Sequence, residues 1–317
     1  MKAIVQNKYG SPDFLELKEI ERPPVKKNKV LVRVHAAALH AGDYFILRGK
    51  PSAVRAAVGL FKPRKNYVPG YDAAGHVETV GENVTRFKPG DEVFGSCSRT
   101  CAEYVCAGEE AFGLKPANLT FEQAAAVPTS GLAALQGLRD AGKLTSGQHV
   151  LINGASGGVG TYAVQIAKSF GAEVTGVCST RNVDMVRSIG ADHVIDYTKE
   201  NFTMGEPRYD LILDNVANHS PSDCRRVLTP RGILIPNSGH GGMGFILKSL
   251  LSSLFVRKQG RPYFMIPKNE DLVILKGLIE AGKVTPVIDG TYPLREVPEA
   301  FRYLEKDHAR GKIVISF

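Results

Sequence analysis

The sequence predicts an α/β protein of two domains, one β-rich and one built on a doubly wound parallel sheet. Three observations carry that prediction. At 317 residues the chain exceeds one comfortable hydrophobic core. Its first third is a series of short apolar or alternating runs broken by Pro, Gly and Asn. From about Thr120 the texture changes to strands alternating with helical patterns, as a parallel sheet with crossover helices requires.

The β-rich runs are Lys2 to Val5, Phe14 to Leu17, Val30 to Ala37, His76 to Val80 and Asp91 to Gly95, with a turn at 87–91. The parallel sheet begins at Val150-Leu-Ile152 and continues at Glu173 to Cys178, Val194 to Asp196, Leu211 to Asn215 and Ile233 to Pro236. Between the first two strands, Val159, Ala163, Ile166, Ala167 and Phe170 repeat at intervals of three and four, one apolar helix face ending near Gly171. A further helix is expected over about 270–281. The closing strand, 312–317, is expected to return to the β-rich domain together with Val287 and Tyr292.

The turn after the first parallel strand reads Gly154-Ala155-Ser156-Gly157-Gly158-Val159-Gly160. Strand, glycine turn and helix together predict a pyrophosphate cradle, with Gly157 admitting the phosphate backbone and Gly160 admitting tight packing. Against the G-x-G-x-x-G pattern Ala155 replaces the first glycine. No Gly-Lys-Ser/Thr follows, which excludes a Walker A loop. The second strand ends in Ser179, Thr180 and Arg181, where an NAD enzyme normally carries an acid for the ribose hydroxyls. Hydroxyl donors and a guanidinium suit a 2′-phosphate, so the cofactor expected is NADPH.

Composition narrows the function classes. The formal charge is +8, from 40 basic and 32 acidic residues. Basic residues cluster in one stretch alone, Arg48, Lys50, Arg55, Lys62, Arg64 and Lys65, which reads as a solvated loop before an anion-site rim or a contact with an acidic membrane surface. Nucleic acid is not an expected partner. Five unevenly spread cysteines argue against a disulfide framework. Met1 opens directly on a strand pattern, so no leader is expected and the expected compartment is the cytoplasm. The apolar stretch 245–256 falls short of a membrane span, and with the residues up to 263 it is expected to cover a pocket and make a homodimer contact.

Gly70-Tyr-Asp-Ala-Ala-Gly-His-Val77, the segment Val80 to Gly95, Ala125-Ala-Val-Pro-Thr-Ser-Gly131 and the Gly154 turn occur in an order that carries a resemblance over nearly the whole chain. The chain resembles the medium-chain dehydrogenase/reductase superfamily, in its zinc-independent quinone oxidoreductase branch. The resemblance implies a GroES-like β-barrel catalytic domain from residues 1–121 and 267–317 and a Rossmann NADPH-binding domain from 122–266. Where zinc-dependent relatives hold catalytic metal, this chain matches His40, Tyr71 and about Ala126, which cannot rebuild a tetrahedral site. Cys97, Cys101 and Cys106 lack the usual spacing for a structural zinc. No metal is expected.

Without a Lewis acid an alkoxide is hard to hold, whereas a quinone or α,β-unsaturated carbonyl takes hydride at carbon and spreads charge onto oxygen. A small electrophilic acceptor is therefore the expected substrate. The catalytic candidates are His40 and Tyr44, in the family's nicotinamide-pocket turn, and Tyr71. For the cofactor, the resemblance implies Asp43 ordering the pocket, Thr129 near the nicotinamide ribose, Ala155, Ser156, Gly157, Gly158 and Val159 at the pyrophosphate, Ser179, Arg181 and Tyr197 at the 2′-phosphate, Asn215, Ser238, Gly239, Tyr263, Phe264 and Met265 along the crevice, and Lys312 reaching a phosphate. The alternatives are an NADP-linked alcohol or ketone oxidoreductase and a non-catalytic NADPH-binding protein, crystallin-like or RNA-binding. A short-chain dehydrogenase is not expected, because no Tyr-x-x-x-Lys stands after the fourth strand.

Overall fold

The structure is a computed structural model that describes residues 1–52, 54–206, 208–237, 263, 265–306 and 309–317. The chain divides into two compact units. The first holds Met1–Leu132, Ile266–Glu280 and Pro286–Phe317; the second holds Ala133–Met265 and Ala281–Thr285.

The first unit is β-rich. β1 (Lys2–Gln6) pairs antiparallel with β2 (Leu15–Glu19). The long β3 (Lys29–Leu39) leads into helix α1 (Ala41–Arg48) and the short α2 (Val54–Val58). There follow β4 (Asp72–Val80), β5 (Glu92–Ser96), β6 (Tyr104–Gly108) and β7 (Phe112–Leu114), then helices α3 (Phe121–Ala125) and α4 (Pro128–Gln136). The expected strand over 76–80 begins at Asp72, because Asp72 to Gly75 continue the ladder opposite Ala38 to Val34. Strands 104–108 and 112–114 carry no clear alternation and go unseen in the sequence. They form because β3 and β5 offer them open edges.

The second unit opens on β8 (His149–Asn153), α5 (Gly158–Ser169), β9 (Glu173–Cys178), α6 (Val183–Ser188) and β10 (His193–Asp196). It continues through β11 (Tyr209–Asp214), α7 (Pro221–Arg226) and β12 (Leu228–Pro236). All five strands are parallel in the order β10-β9-β8-β11-β12, which reverses direction between β8 and β11. Residues 160–167 of α5 are all buried, so the helix is covered well beyond the single face its periodicity shows.

The chain then returns to the first unit through α8 (Asn269–Glu280), β13 (Ile288–Pro293), α9 (Val297–Lys306) and β14 (Lys312–Ser316). β14 pairs antiparallel with β3, completing the sheet order β13-β14-β3-β4-β5-β7 with β6 also on β3. Unit boundaries expected at 121/122 and 266/267 fall at 132/133 and 265/266. The first shift has a local cause. The Phe121 ring stacks on His35 at 4.6 Å and packs against His76, and Thr129 bonds to Asp72, which ties the 121–132 segment to β3 and β4.

One close approach fixes the β8–α5 turn. A Cβ on Gly160 would lie 2.0 Å from the Gly154 carbonyl oxygen and 2.7 Å from the Ala155 Cα. Gly160 is thus demanded by the loop itself rather than by the sheet. Gly160→Ala is expected to lower stability by about 3 kcal/mol, since rigid backbone must move to admit the methyl. Thermal denaturation checks this; an unchanged midpoint would contradict the contact.

Candidate functional site

In the second unit, α5 starts at Gly157 with no side chain capping its first turn, although its opening amides need acceptors. A Cβ at Gly157 would meet nothing nearer than the Gly154 oxygen at 3.5 Å, so space above the turn is open. Ser156, Gly157, Gly158 and Val159 are all half-buried along this edge. A bare helix N-terminus beside an open glycine turn is an anion site in waiting. Ala155 is not part of that edge. It is fully buried, its N–H donates to the Val177 carbonyl at 3.0 Å, and its methyl faces Gly176 of β9, whose lack of a Cβ makes room for it.

The end of β9 completes the edge. Asn182, which the sequence reading passed over, is buried and donates from Nδ2 to Ser156 Oγ at 3.1 Å and to Ser179 Oγ at 3.3 Å. Both serine oxygens therefore accept, which leaves their hydroxyl protons to point elsewhere. Asn182 Oδ1 has no partner among the described residues. Thr180 is engaged otherwise: its hydroxyl donates to Asp196 Oδ2 at 2.6 Å. That bond, with those from Thr198 and Lys199, lowers the Asp196 carboxyl to about 2. Arg181 and Tyr197 are exposed beside it.

Where the sheet order reverses, Asn153 donates to Asp214 Oδ1 at 2.8 Å and Asn218 Oδ1 at 2.9 Å. Asn215 donates to the Asn153 carbonyl at 3.1 Å and accepts from Asn237 at 2.7 Å, so its amide chiefly braces the strand ends. Tyr263, expected along the cofactor crevice, instead donates its hydroxyl to the Ala133 carbonyl beneath Gly137, within the unit's own packing. Met265 is half-buried. Ser238, Gly239 and Phe264 lie outside the described residues.

In the first unit, His40 caps α1. Its Nδ1 accepts from Gly42 N at 2.8 Å, its own N–H donates to Asp43 Oδ2 at 2.9 Å, and Nε2 stands 3.6 Å from the same oxygen. An accepting Nδ1 puts the proton of the neutral ring on Nε2. Gly42 is required there, since a Cβ would meet the imidazole at 2.5 Å. Asp43 is 1% exposed and its Oδ1 has no partner among the described residues. Burial raises its carboxyl above the ordinary value, and Asp72 adds to that, against His40 and Lys312. Tyr71, whose ring centroid lies 5.7 Å from that of His40, has the Tyr67 phenol as a neighbour. Burial raises both phenols.

Two candidates are placed differently from expectation. The Tyr44 hydroxyl donates to Glu305 at 3.3 Å, and the same carboxylate binds Arg48, so α9 holds Tyr44 by its only proton. Lys312, expected to reach a phosphate, is buried against a carboxylate. It is 1% exposed and sits 3.2 Å from Asp72, itself fully buried, because an ammonium this deep needs a counter-charge. Asp72 Oδ1 in turn accepts from Thr129 N at 2.9 Å and Thr129 Oγ1 at 2.5 Å, and Ser96 donates to Thr129 at 3.1 Å.

Zinc does not fit these residues. Tyr71 stands in for a ligand histidine, burial pushes the Cys97 thiol up to about 12 and the Cys101 thiol well up, and among the described residues no three His, Cys, Asp or Glu are grouped to hold a metal. The NADPH phosphates do fit the glycine edge, with its uncapped amides and two serine hydroxyls whose protons Asn182 leaves unused.

Comparison with known proteins agrees. The family described as alcohol dehydrogenase GroES-like domain matches residues 26–137, and that described as zinc-binding dehydrogenase matches residues 189–315. The chain is 36% identical to the 2-methylene-furan-3-one reductase of Solanum lycopersicum, over 99% of this chain and 79% of that protein. It is 34% identical, over the same shares of the two chains, to the chloroplastic NADPH-dependent alkenal/one oxidoreductase of Arabidopsis thaliana. The chain belongs to the quinone oxidoreductase branch of the medium-chain dehydrogenase/reductase superfamily. The solved quinone oxidoreductase of Coxiella burnetii superposes with a TM-score of 0.86 at 31% identity, covering 100% of this chain and 99% of that one. The β-rich unit of this branch member is thus its GroES-like domain and the parallel sheet its Rossmann domain.

Because the folded value of Asp43 lies above the ordinary 3.8, folding favours its protonated form. The stability this gives is whole below about pH 4 and is lost as pH rises through the raised value. Asp43→Asn cannot ionise, so its melting temperature is expected to gain on the wild type from about pH 4 upward. Parallel melting curves across pH would overturn that reading.

Proposed function

We propose that the chain is an NADPH-dependent reductase of quinones or α,β-unsaturated carbonyls that works without a metal. The observation that carries the cofactor is the pairing of Ser156 and Ser179 through Asn182, which donates to both oxygens and leaves two hydroxyl protons for an acceptor near Arg181. A phosphate dianion is a pure acceptor and suits them. The names of the two plant reductases and the Coxiella burnetii enzyme support the acceptor class.

In this reading Ser156 to Val159 bind the pyrophosphate, and Ser179, Arg181 and Tyr197 bind the 2′-phosphate. NADPH when bound supplies the hydride. Thr129 donates its proton to Asp72 and so offers the ribose only an acceptor. Tyr71 holds a proton for the acceptor's developing oxyanion, and His40 holds another on Nε2. The apolar 245–263 stretch supports a homodimer, checked by light scattering, and the cytoplasm is the proposed compartment.

NADPH oxidation against a panel of quinones, enals and enones tests the proposal. Turnover that survives chelation is expected; tight NADPH binding with no turnover on any acceptor would favour a binding protein, and activity on alcohols lost with stoichiometric zinc would favour an alcohol dehydrogenase. Arg181→Glu is expected to weaken NADPH binding roughly a hundredfold while leaving NADH within a few fold. Equal losses for the two cofactors would refute the 2′-phosphate assignment.

A further inference from the structure

Between Asp43 and Asp72 the chain carries a run with no acidic residue and six basic ones, four of which neither the fold nor the proposed reaction uses. Its centre is a tight turn. Gly59 N donates to the Arg55 carbonyl at 2.7 Å, Arg64 N donates to the Val58 carbonyl at 3.0 Å, and the Tyr9 hydroxyl donates to the Gly59 carbonyl at 2.6 Å. Gly59 has φ +147, and a Cβ there would lie 2.1 Å from the Lys62 carbonyl oxygen. Val58 is buried beneath, and the far side of the loop is tied to β1 by the bridge of Tyr67 to Gln6. The turn is therefore held in shape from both sides.

What this turn presents is apolar. Leu60 is 67% exposed and Phe61 is 94% exposed, adjacent at the tip. Single exposed apolar residues are ordinary, but two large ones on a rigid tip are an unfilled contact. Around them Lys50, Lys62, Arg64 and Lys65 are all exposed. Arg55 and Arg48 are drawn inward, Arg55 to the Gly49 carbonyl and the Tyr9 ring, Arg48 to Glu305. The other four make no ion pair among the described residues.

We propose that this turn is a peripheral membrane contact, in which Leu60 and Phe61 enter the headgroup boundary of an anionic lipid surface and Lys50, Lys62, Arg64 and Lys65 lie over the lipid charges. Apolar insertion with a cationic rim is the pattern of an interfacial anchor, and the absence of any carboxylate from the loop removes the repulsion such a surface would exert. A flat acidic protein surface would use the cations and leave Phe61 idle. No long apolar helix is involved; among the described residues none could cross a membrane. The anchor does not depend on the reductase reading, but it would bring an enzyme to acceptors dissolved in lipid.

The chain contains no tryptophan, so Phe61→Trp supplies a single fluorescent reporter at the tip. With vesicles of phosphatidylcholine containing about a third phosphatidylglycerol, its emission is expected to shift to the blue, and the unmodified chain to sediment with them and to be released by salt. Leu60→Ser with Phe61→Ser, or Lys62→Glu with Lys65→Glu, is expected to weaken sedimentation at least about tenfold while NADPH binding and melting temperature hold. The proposal is overturned by the absence of a blue shift, by sedimentation that ignores either pair of substitutions, or by polyglutamate binding that lysine reversal abolishes and the Phe61 change leaves intact.

Discussion

The GroES-like unit depends on one buried ion pair, Lys312 with Asp72. Both side chains are essentially without solvent, so neither charge is tolerable alone, and removing one partner of such a pair typically costs about 3–5 kcal/mol. The pair joins β14 to β4, two strands separated by β3, and so ties the last strand of the chain to an early one. The same carboxylate orders functional polar groups. With one oxygen given to Lys312, the other takes two bonds from Thr129, and that fixes the direction of every hydrogen bond Thr129 can make. A structural pair thereby decides what the Thr129 hydroxyl can offer.

The periodic features were the legible ones. Alternation marked β1 to β5, the glycine turn marked β8 and α5, and the closing strand was expected with the β-rich unit, where it pairs with β3. What could not be read was set by partners distant in sequence. Lys312 and Asp72 are 240 residues apart, so no local pattern shows that they meet, and a lysine at the start of a strand looks like any surface cation. Ala155 looked like a departure from a phosphate motif. It is the outer half of a size exchange with Gly176, visible only once β8 and β9 lie side by side.

Hydrogen-bond direction was equally hidden. Ser179, Thr180 and Arg181 read as three similar donors, but Thr180 gives its proton to Asp196, whereas Ser156 and Ser179 keep theirs because Asn182 donates to both. Asn182 is a common residue in an unremarkable place, and its role follows only from the two serines it joins. Tyr44 shows the converse. It was a candidate because of its place in the family turn, and Glu305 on α9 holds the proton it would have given.

Asp43 ties the acid–base argument together. In a buried setting with one carboxyl oxygen unpartnered, an anion is unfavourable, and it would also raise the cost of ionising Tyr71 and Tyr67. Hydride transfer to an enone or quinone builds negative charge on the acceptor oxygen, and with no metal to absorb it, a second anion nearby opposes the reaction. The upward shift of Asp43, toward its protonated form, lessens both penalties. Asp43 also accepts the His40 amide N–H, while the Gly42 N–H donates to Nδ1 and so puts the proton of the neutral imidazole on Nε2. The burial that makes Asp43 a stability burden at neutral pH is thus the same property that favours the proposed reaction with an uncharged, electrophilic acceptor.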